Sequence, residues 1–333
     1  MIHKMWENYP EINQALEDVK EIMLTNISVI HPEVKSKIKD YINASGKYVR
    51  AGLLLMIAKA KDGDIKQGKL YLAASIEVLH LATLIHDDVI DQADTRRTIE
   101  TLHQTFSNKI AIYAGDYLLS YSSKLALQGF EMILKGQNDL QYSKNNYRII
   151  ERVLSGELAQ LMNTFNTDIS AKDYLKQIRG KTAFLFAMAS QLGVLTPKSS
   201  SKELRSAFNF GQSIGMAFQL TDDLIDFKKS QNDSGKPQLQ DVQNGIYTYP
   251  LIVAKYENSL IQDLLLEKKT KDWSQEDLNK LQALLEKTNG FVATKRLINR
   301  YLAKSHKQLS LFLPTNSTGD ISSLIKKVFK VPQ

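Results

Sequence analysis

Between residues 70 and 90, Leu72, Ile76, Leu79, Thr83 and Ile90 recur at helical intervals, and Leu81, Leu84 and Ile85 widen the apolar face. That spacing follows the turn of an α-helix and not the two-residue repeat of a strand, and its breadth predicts a helix buried on most sides. The same period returns at 10–28, 33–43, 47–60, 107–134, 147–164, 171–193, 202–228, 247–265, 275–287, 290–311 and 319–330. Only seven prolines and sixteen glycines interrupt 333 residues. No stretch alternates polar and apolar residues, and no Asn-Gly hairpin joins strand-like runs. The expected fold class is all-α.

Loops are expected at 61–66, 135–146, 195–201, 229–246 and 313–318, and SQED at 274–277 reads as a capping box opening a helix. No linker or low-complexity segment divides the chain, so a single domain over 1–333 is the simplest arrangement. The absence of cysteine excludes a disulfide framework, a thiolate metal site and thiol catalysis, and fits a reducing compartment. Charges come too early for a secretory signal, and no apolar run approaches the roughly 18 residues that a bilayer span needs. The expected location is cytoplasmic. A net charge of +7 suits nucleic acid, a membrane surface or an anionic small molecule. The cations are scattered, with clusters at 179–181 and in SLIKKVFKVPQ, and no aromatic-interleaved basic motif occurs. Nucleic acid is not an expected partner; a peripheral membrane contact stays open.

At the end of the first apolar helix stand HDDVIDQADTRR, and QLTDDLID at 219–226 repeats the Asp-Asp-x-x-Asp spacing. The first and fifth positions of such a motif share one helix face about one turn apart, so Asp87 with Asp91, and Asp222 with Asp226, can aim oxygens at a common point. A lone copy is most often a solvated helix face. Two copies, each after an apolar run, read instead as two acidic faces across a cavity, with cations and a diphosphate offsetting their repulsion. Hard oxygen ligands without thiolates select magnesium, which is typically held by a few carboxylates plus substrate phosphates.

In these residues the chain resembles the trans-isoprenyl diphosphate synthases. The likeness runs from about 40 to 255 through GKYVR at 46–50, LHLATLIHDDVIDQADTRR at 79–97, AGDYLL at 114–119, GELAQL at 156–161, RGKTAFLF at 179–186, GMAFQLTDDLIDF at 215–227, GKP at 235–237 and DVQNGIYTYPLI at 241–252. Residues 256–333 add C-terminal helices. The resemblance implies an antiparallel helical bundle around a central substrate cavity. It also implies a prenyltransferase that ionises an allylic diphosphate with magnesium, condenses it head-to-tail with isopentenyl diphosphate and eliminates a proton. Carried over by position, Asp87, Asp88, Asp91, Asp222, Asp223 and Asp226 form the metal motifs, with Asp88 less direct and Asp223 and Asp226 assisting Asp222 through water. Arg96 clamps the allylic diphosphate with Lys181 and Lys236, while Thr182 and Gln219 present oxygen dipoles near the cation. Isopentenyl diphosphate is expected on Lys47, Arg50, His80 and Arg97. Taken singly, Lys47 and Arg50 could be a solvated first turn, His80 a core histidine, and Arg96 and Arg97 partners of Asp91 and Asp94.

The resemblance further implies that residues one turn before the first motif set product length. Ala82 and Thr83 stand there, and neither is aromatic, so the expected product is a geranylgeranyl or longer all-trans polyprenyl diphosphate and not farnesyl diphosphate. Ser75, Ile76 and Leu79 lie deeper on the same helix. NGIYTYP resembles the larger, catalytic component of bacterial long-chain polyprenyl synthases, for which a homodimer and a heteromer with a small subunit both fit. Three departures from the family pattern stand out: Thr98 where a glycine is usual, Ile246 where a lysine is usual (with Lys228 or Lys229 as substitutes), and Tyr48 in GKYVR and Ala51 just after it, where a basic residue and a proline are common. The alternatives are a farnesyl synthase, a terpene cyclase or head-to-head synthase on the same fold, a metal phosphohydrolase using His80 and the His86–Asp87 pair, and a non-catalytic subunit.

Overall fold

The computed structural model describes residues 2–44, 46–134, 139–228, 239–269 and 271–329, except the side chains of 139–148 and 228. The helices are α1 (Pro10–Thr25), α2 (Pro32–Asn43), α3 (Val49–Asp62), α4 (Gln67–Ile90), α5 (Leu102–Thr105), α6 (Asn108–Leu134), α7 (Asp139–Met162), α8 (Ala171–Ile178), α9 (Phe184–Val194), α10 (Ser201–Lys228), α11 (Gln240–Gln243), α12 (Tyr249–Glu257), α13 (Ser259–Lys268), α14 (Gln275–Glu286), α15 (Gly290–Leu309) and α16 (Gly319–Val328). The all-α expectation holds. The one sheet among the described residues is a ribbon of β1 (Thr95–Arg96) antiparallel to β2 (Ile99–Glu100), which no sequence pattern announced. Local chemistry sets several boundaries. Pro10 and Pro32 open α1 and α2, where a missing N–H costs nothing. The expected capping box is present between Ser274 and Asp277. Asn258 divides the stretch 247–265 by leaving the helical region and accepting from the Leu260 N–H at 3.1 Å.

The residues form two compact units. The first comprises 1–150, 188–207 and 312–321. Its centre is α4, which packs along α6 and against α1 and α3. The α4 and α6 backbones meet at Gly68 and Gly129, where an added Cβ on either would lie 2.9 Å from the other's carbonyl oxygen. Leu72, Ala73, Ala74, Val78 and Ala82 are fully buried. By length and mean hydropathy α4 would pass for a membrane span, against the expectation that no run comes close; 72% of its most apolar window is buried within the protein, as in a core helix. Trp6 is fully buried, lies over Gly52, and donates its indole N–H to the Lys47 carbonyl at 2.7 Å. Lys69 is buried too. Its Nζ donates to the carbonyls of Leu192, Gly193 and Leu195 at 2.7, 2.9 and 2.6 Å, closing the C-terminal end of α9. Burial pushes the Lys69 ammonium down to about 7, and the nearby Asp62 carboxylate opposes that shift.

The second unit comprises 151–187, 208–311 and 322–333. In it α12 packs on α15 and α13. Phe186 meets Phe218, and Phe227 meets Phe291. The buried Lys255 donates to the carbonyls of Thr167 and Ile169, anchoring the turn before α8.

Candidate active site

In the first unit, α4 ends at Ile90 with Asp91 as its C-cap, and the Asp91 N–H donates to the Asp87 carbonyl at 2.8 Å. The one-turn relation between the outer aspartates therefore survives the end of the helix. Asp87 is half-buried and Asp91 exposed. Asp88 differs in kind: at 1% exposure it lies inside, where Arg96 Nε and Nη2 reach Oδ1 at 2.7 and 2.5 Å and the Tyr41 hydroxyl donates to Oδ2 at 3.1 Å. The same hydroxyl accepts from the Leu102 N–H at 3.0 Å. Tyr41 thus joins α2, the motif helix and the exit of the ribbon. Arg96 meets neither of the carboxylates suggested by its position in sequence, and Asp94 instead accepts from Gln104 at 2.7 Å.

The ribbon turns through Arg97 (φ 49°) and Thr98 (φ 71°), both left-handed. Two positive φ values suit the tight turn of a two-residue hairpin, whose twist matches the strands it joins. A β-branched threonine is strained there and a glycine would not be, which is the physical content of the Thr98 departure. The turn sets the Arg97 guanidinium over Gly46, where a Cβ would come within 2.6 Å of Nη1. His80 and Arg97 line one cleft together with Tyr48 and Glu77. Glu77 accepts from the Ala51 N–H at 3.0 Å; burial raises its carboxyl above the usual range, and the nearby Arg50 opposes that shift. Three of the four residues expected around isopentenyl diphosphate are therefore neighbours. The Lys47 side chain is exposed and lines no part of this cleft. His86 turns toward α6, 3.3 Å from Asp116 and over Gly115, where a Cβ would strike the imidazole.

In the second unit the aspartate pattern repeats. Asp222 is exposed and Asp226 half-buried, its Oδ2 accepting from the Asp241 N–H at 3.4 Å. Asp223 is 1% exposed; it accepts from the Tyr174 hydroxyl, and from Gln219 Nε2 at 3.1 Å. Burial pushes its carboxyl well above the usual range, and the two donors hold it back. The Thr182 hydroxyl donates to Gln219 Oε1 at 2.7 Å, completing a chain from Thr182 to Asp223. Lys181 pairs with Glu157 at 2.6 Å. Lys181 and Thr182 sit on a π-helical segment, Arg179–Ala183, between α8 and α9. Such a bulge re-aims side chains within a helix and is frequent at functional sites. Gly156 allows it: a Cβ there would lie 2.3 Å from the Lys181 backbone nitrogen. Ile246 is half-buried in a turn whose Gly245 has φ 73° and packs on Phe165. Lys236 and Lys229 lie outside the described residues, as does the Lys228 side chain.

Tyr41, Tyr174, Glu157 and Glu77 were not expected as site residues. Glu157 stands within the quoted GELAQL; the two tyrosines carry no local signal, since each partner lies on a different helix. Among the described residues no three His, Asp or Glu side chains converge on one metal position by themselves. The outer carboxylates, half-buried or exposed, remain a hard-oxygen donor set that fits a divalent cation shared with phosphate oxygens.

The polyprenyl synthetase family profile matches residues 31–287. The chain belongs to the polyprenyl synthetase family. It is 28% identical to heptaprenyl diphosphate synthase component 2 of Bacillus subtilis, over 97% of this chain and 89% of that one. It is 32% identical to a prenyl transferase of Cyanophora paradoxa, over 89% of each. Its fold matches the crystal structure of geranylgeranyl pyrophosphate synthase from Lactobacillus brevis with a TM-score of 0.86 and 27% identity, over 98% of this chain and 99% of that one. The polyprenyl synthetase is thus a prenyltransferase of the all-helical class, in a family that works with a divalent metal.

Proposed function

We propose that this polyprenyl synthetase joins isopentenyl diphosphate to an allylic diphosphate in a single catalytic domain served by both aspartate motifs, with magnesium as the divalent ion, giving a geranylgeranyl or longer all-trans product. The observation that carries the reading is the repeated division of labour within the motifs. Each middle aspartate is buried against a tyrosine hydroxyl and a second donor, while the first and last carboxylates, one turn apart, are half-buried or exposed. Magnesium between those carboxylates and the substrate would offset charge on the departing diphosphate.

The chain's own residues would do the rest. Asp87, Asp91 and Asp222 offer oxygens; Arg96, held by Asp88, and Lys181, held by Glu157, stand ready to receive phosphoryl oxygens. The Thr182–Gln219 pair would turn dipoles toward developing positive charge. His80, Arg50 and Arg97 would bind the second diphosphate without metal. Ala82, fully buried, and Thr83 leave no aromatic floor before Asp87, and the heptaprenyl and geranylgeranyl names of two relatives are in keeping with such lengths. The "component 2" of the Bacillus protein's name supports testing a second subunit beside a homodimer.

The test is incubation with magnesium, farnesyl diphosphate and labelled isopentenyl diphosphate, with chromatography of the dephosphorylated products. Extractable label in chains of twenty or more carbons is expected, on the estimate that two small residues leave room for at least one further unit. Farnesyl diphosphate left without label, a cyclic hydrocarbon without isopentenyl incorporation, or phosphate alone would each overturn the reading.

A further inference from the structure

On α15, Arg296, Arg300, Lys304 and Lys307 follow one another at four-, four- and three-residue intervals, a single row along the helix. All four are exposed, while Thr294, Ile298, Ser305 and Leu309 are buried on the opposite side. From Lys287 to Gly319 the sequence contains no Asp or Glu. None of the four side chains, nor Lys295 beside them, makes an ion pair or hydrogen bond with a described residue. Like charges at these spacings repel, whereas Lys181 and Lys268 each meet a carboxylate. The row is bracketed by exposed apolar residues, Val292 at 54% and Leu311 at 51%. Cations on one outward helix face, with an apolar side chain near its start and another in the turn just beyond its end, match the layered chemistry of a bilayer surface, with anionic headgroups above hydrocarbon.

We propose that this face of α15 docks the polyprenyl synthetase on the anionic surface of a lipid bilayer. The site lies outside the aspartate motifs, and its purpose rests on the proposed function, because a polyprenyl product carries a tail that partitions into lipid. Its test is independent of that function, since vesicle binding is read without turnover.

The full chain is sedimented with phosphatidylcholine vesicles containing or lacking phosphatidylglycerol. Binding is expected only to the anionic vesicles and is expected to fall with added salt. Each cation near such a surface contributes roughly fivefold to partitioning. The variant carrying Arg296→Gln, Arg300→Gln, Lys304→Gln and Lys307→Gln is therefore expected to bind on the order of a hundredfold or more weakly, with helical content and solution prenyl transfer unchanged. A control with Lys35→Gln, Lys37→Gln and Lys39→Gln on α2 is expected to bind like the parent. Equal binding to neutral vesicles, full binding by the quadruple variant, an equal loss in the control, or retention on RNA with none on vesicles would each overturn the proposal.

Discussion

Arg96 holds the buried carboxylate of Asp88 through two nitrogens, Nε at 2.7 Å and Nη2 at 2.5 Å, both on Oδ1. The pair fastens the ribbon to the helix that carries the first motif. Breaking a buried pair from one side leaves an uncompensated charge. Asp88→Ala is expected to cost about 3 kcal/mol in denaturant unfolding and to reduce prenyl transfer by displacing Arg96 and Arg97. Arg96→Lys keeps the charge and loses the fork, so it is expected to fall between parent and Asp88→Ala. Unchanged unfolding in Asp88→Ala would remove the pair from this account.

The π segment carries Lys181 and Thr182 only because Gly156 has no side chain. A methyl there would press on the Lys181 backbone nitrogen and on Gly180, both rigid main chain. Gly156→Ala is expected to lower turnover more than tenfold, on the estimate that misplacing positioned groups by an ångström costs about a hundredfold. Parent-like turnover with normal folding would show that the bulge positions nothing the reaction needs.

Thr98 holds φ 71° with a β-branched side chain. Thr98→Gly is expected to relieve that strain and stabilise the protein by up to about 1 kcal/mol, the reverse of the usual cost of a new glycine. A shift of the unfolding midpoint in the destabilising direction would mean the observed turn does not form in solution.

Lys61 pairs with Glu203, and the Ser200 N–H adds a bond, which together lower the Glu203 carboxyl to about 2 from an ordinary value of 4.5. A depressed folded value means stability is present above pH 4.5 and lost as pH falls through 2. With both side chains partly exposed, screening limits the effect to about 1 kcal/mol. Glu203→Gln is expected to flatten the acid limb of stability against pH by that amount and to leave stability at pH 9 lower than in the parent. An unaltered acid limb would exclude the pair as its source.

Ala82→Phe places a ring on the fully buried face of α4. If prenyl chains grow along that face, the ring is expected to stop them earlier, shifting the products made from geranyl diphosphate toward farnesyl length while isopentenyl incorporation continues. Products of parental length from a folded variant would place the growing chain elsewhere.

The amino-acid sequence by itself determined the helical class, most helix spans, the capping box at Ser274 and the two acidic motifs, because periodicity, caps and motif spacing are local properties of the chain. It could not show that Asp88 and Asp223 are buried while the other motif aspartates keep part of their surface in water, since Tyr41 and Tyr174 lie on other helices and nothing local couples them. The ribbon at Thr95–Glu100 was hidden as well, being two residues per strand with a threonine in a glycine-like turn. The π bulge depended on Gly156 meeting Gly180 across helices. Only tertiary packing decides which of several identical side chains is dried and which stays in water, because burial is set by residues distant in the chain.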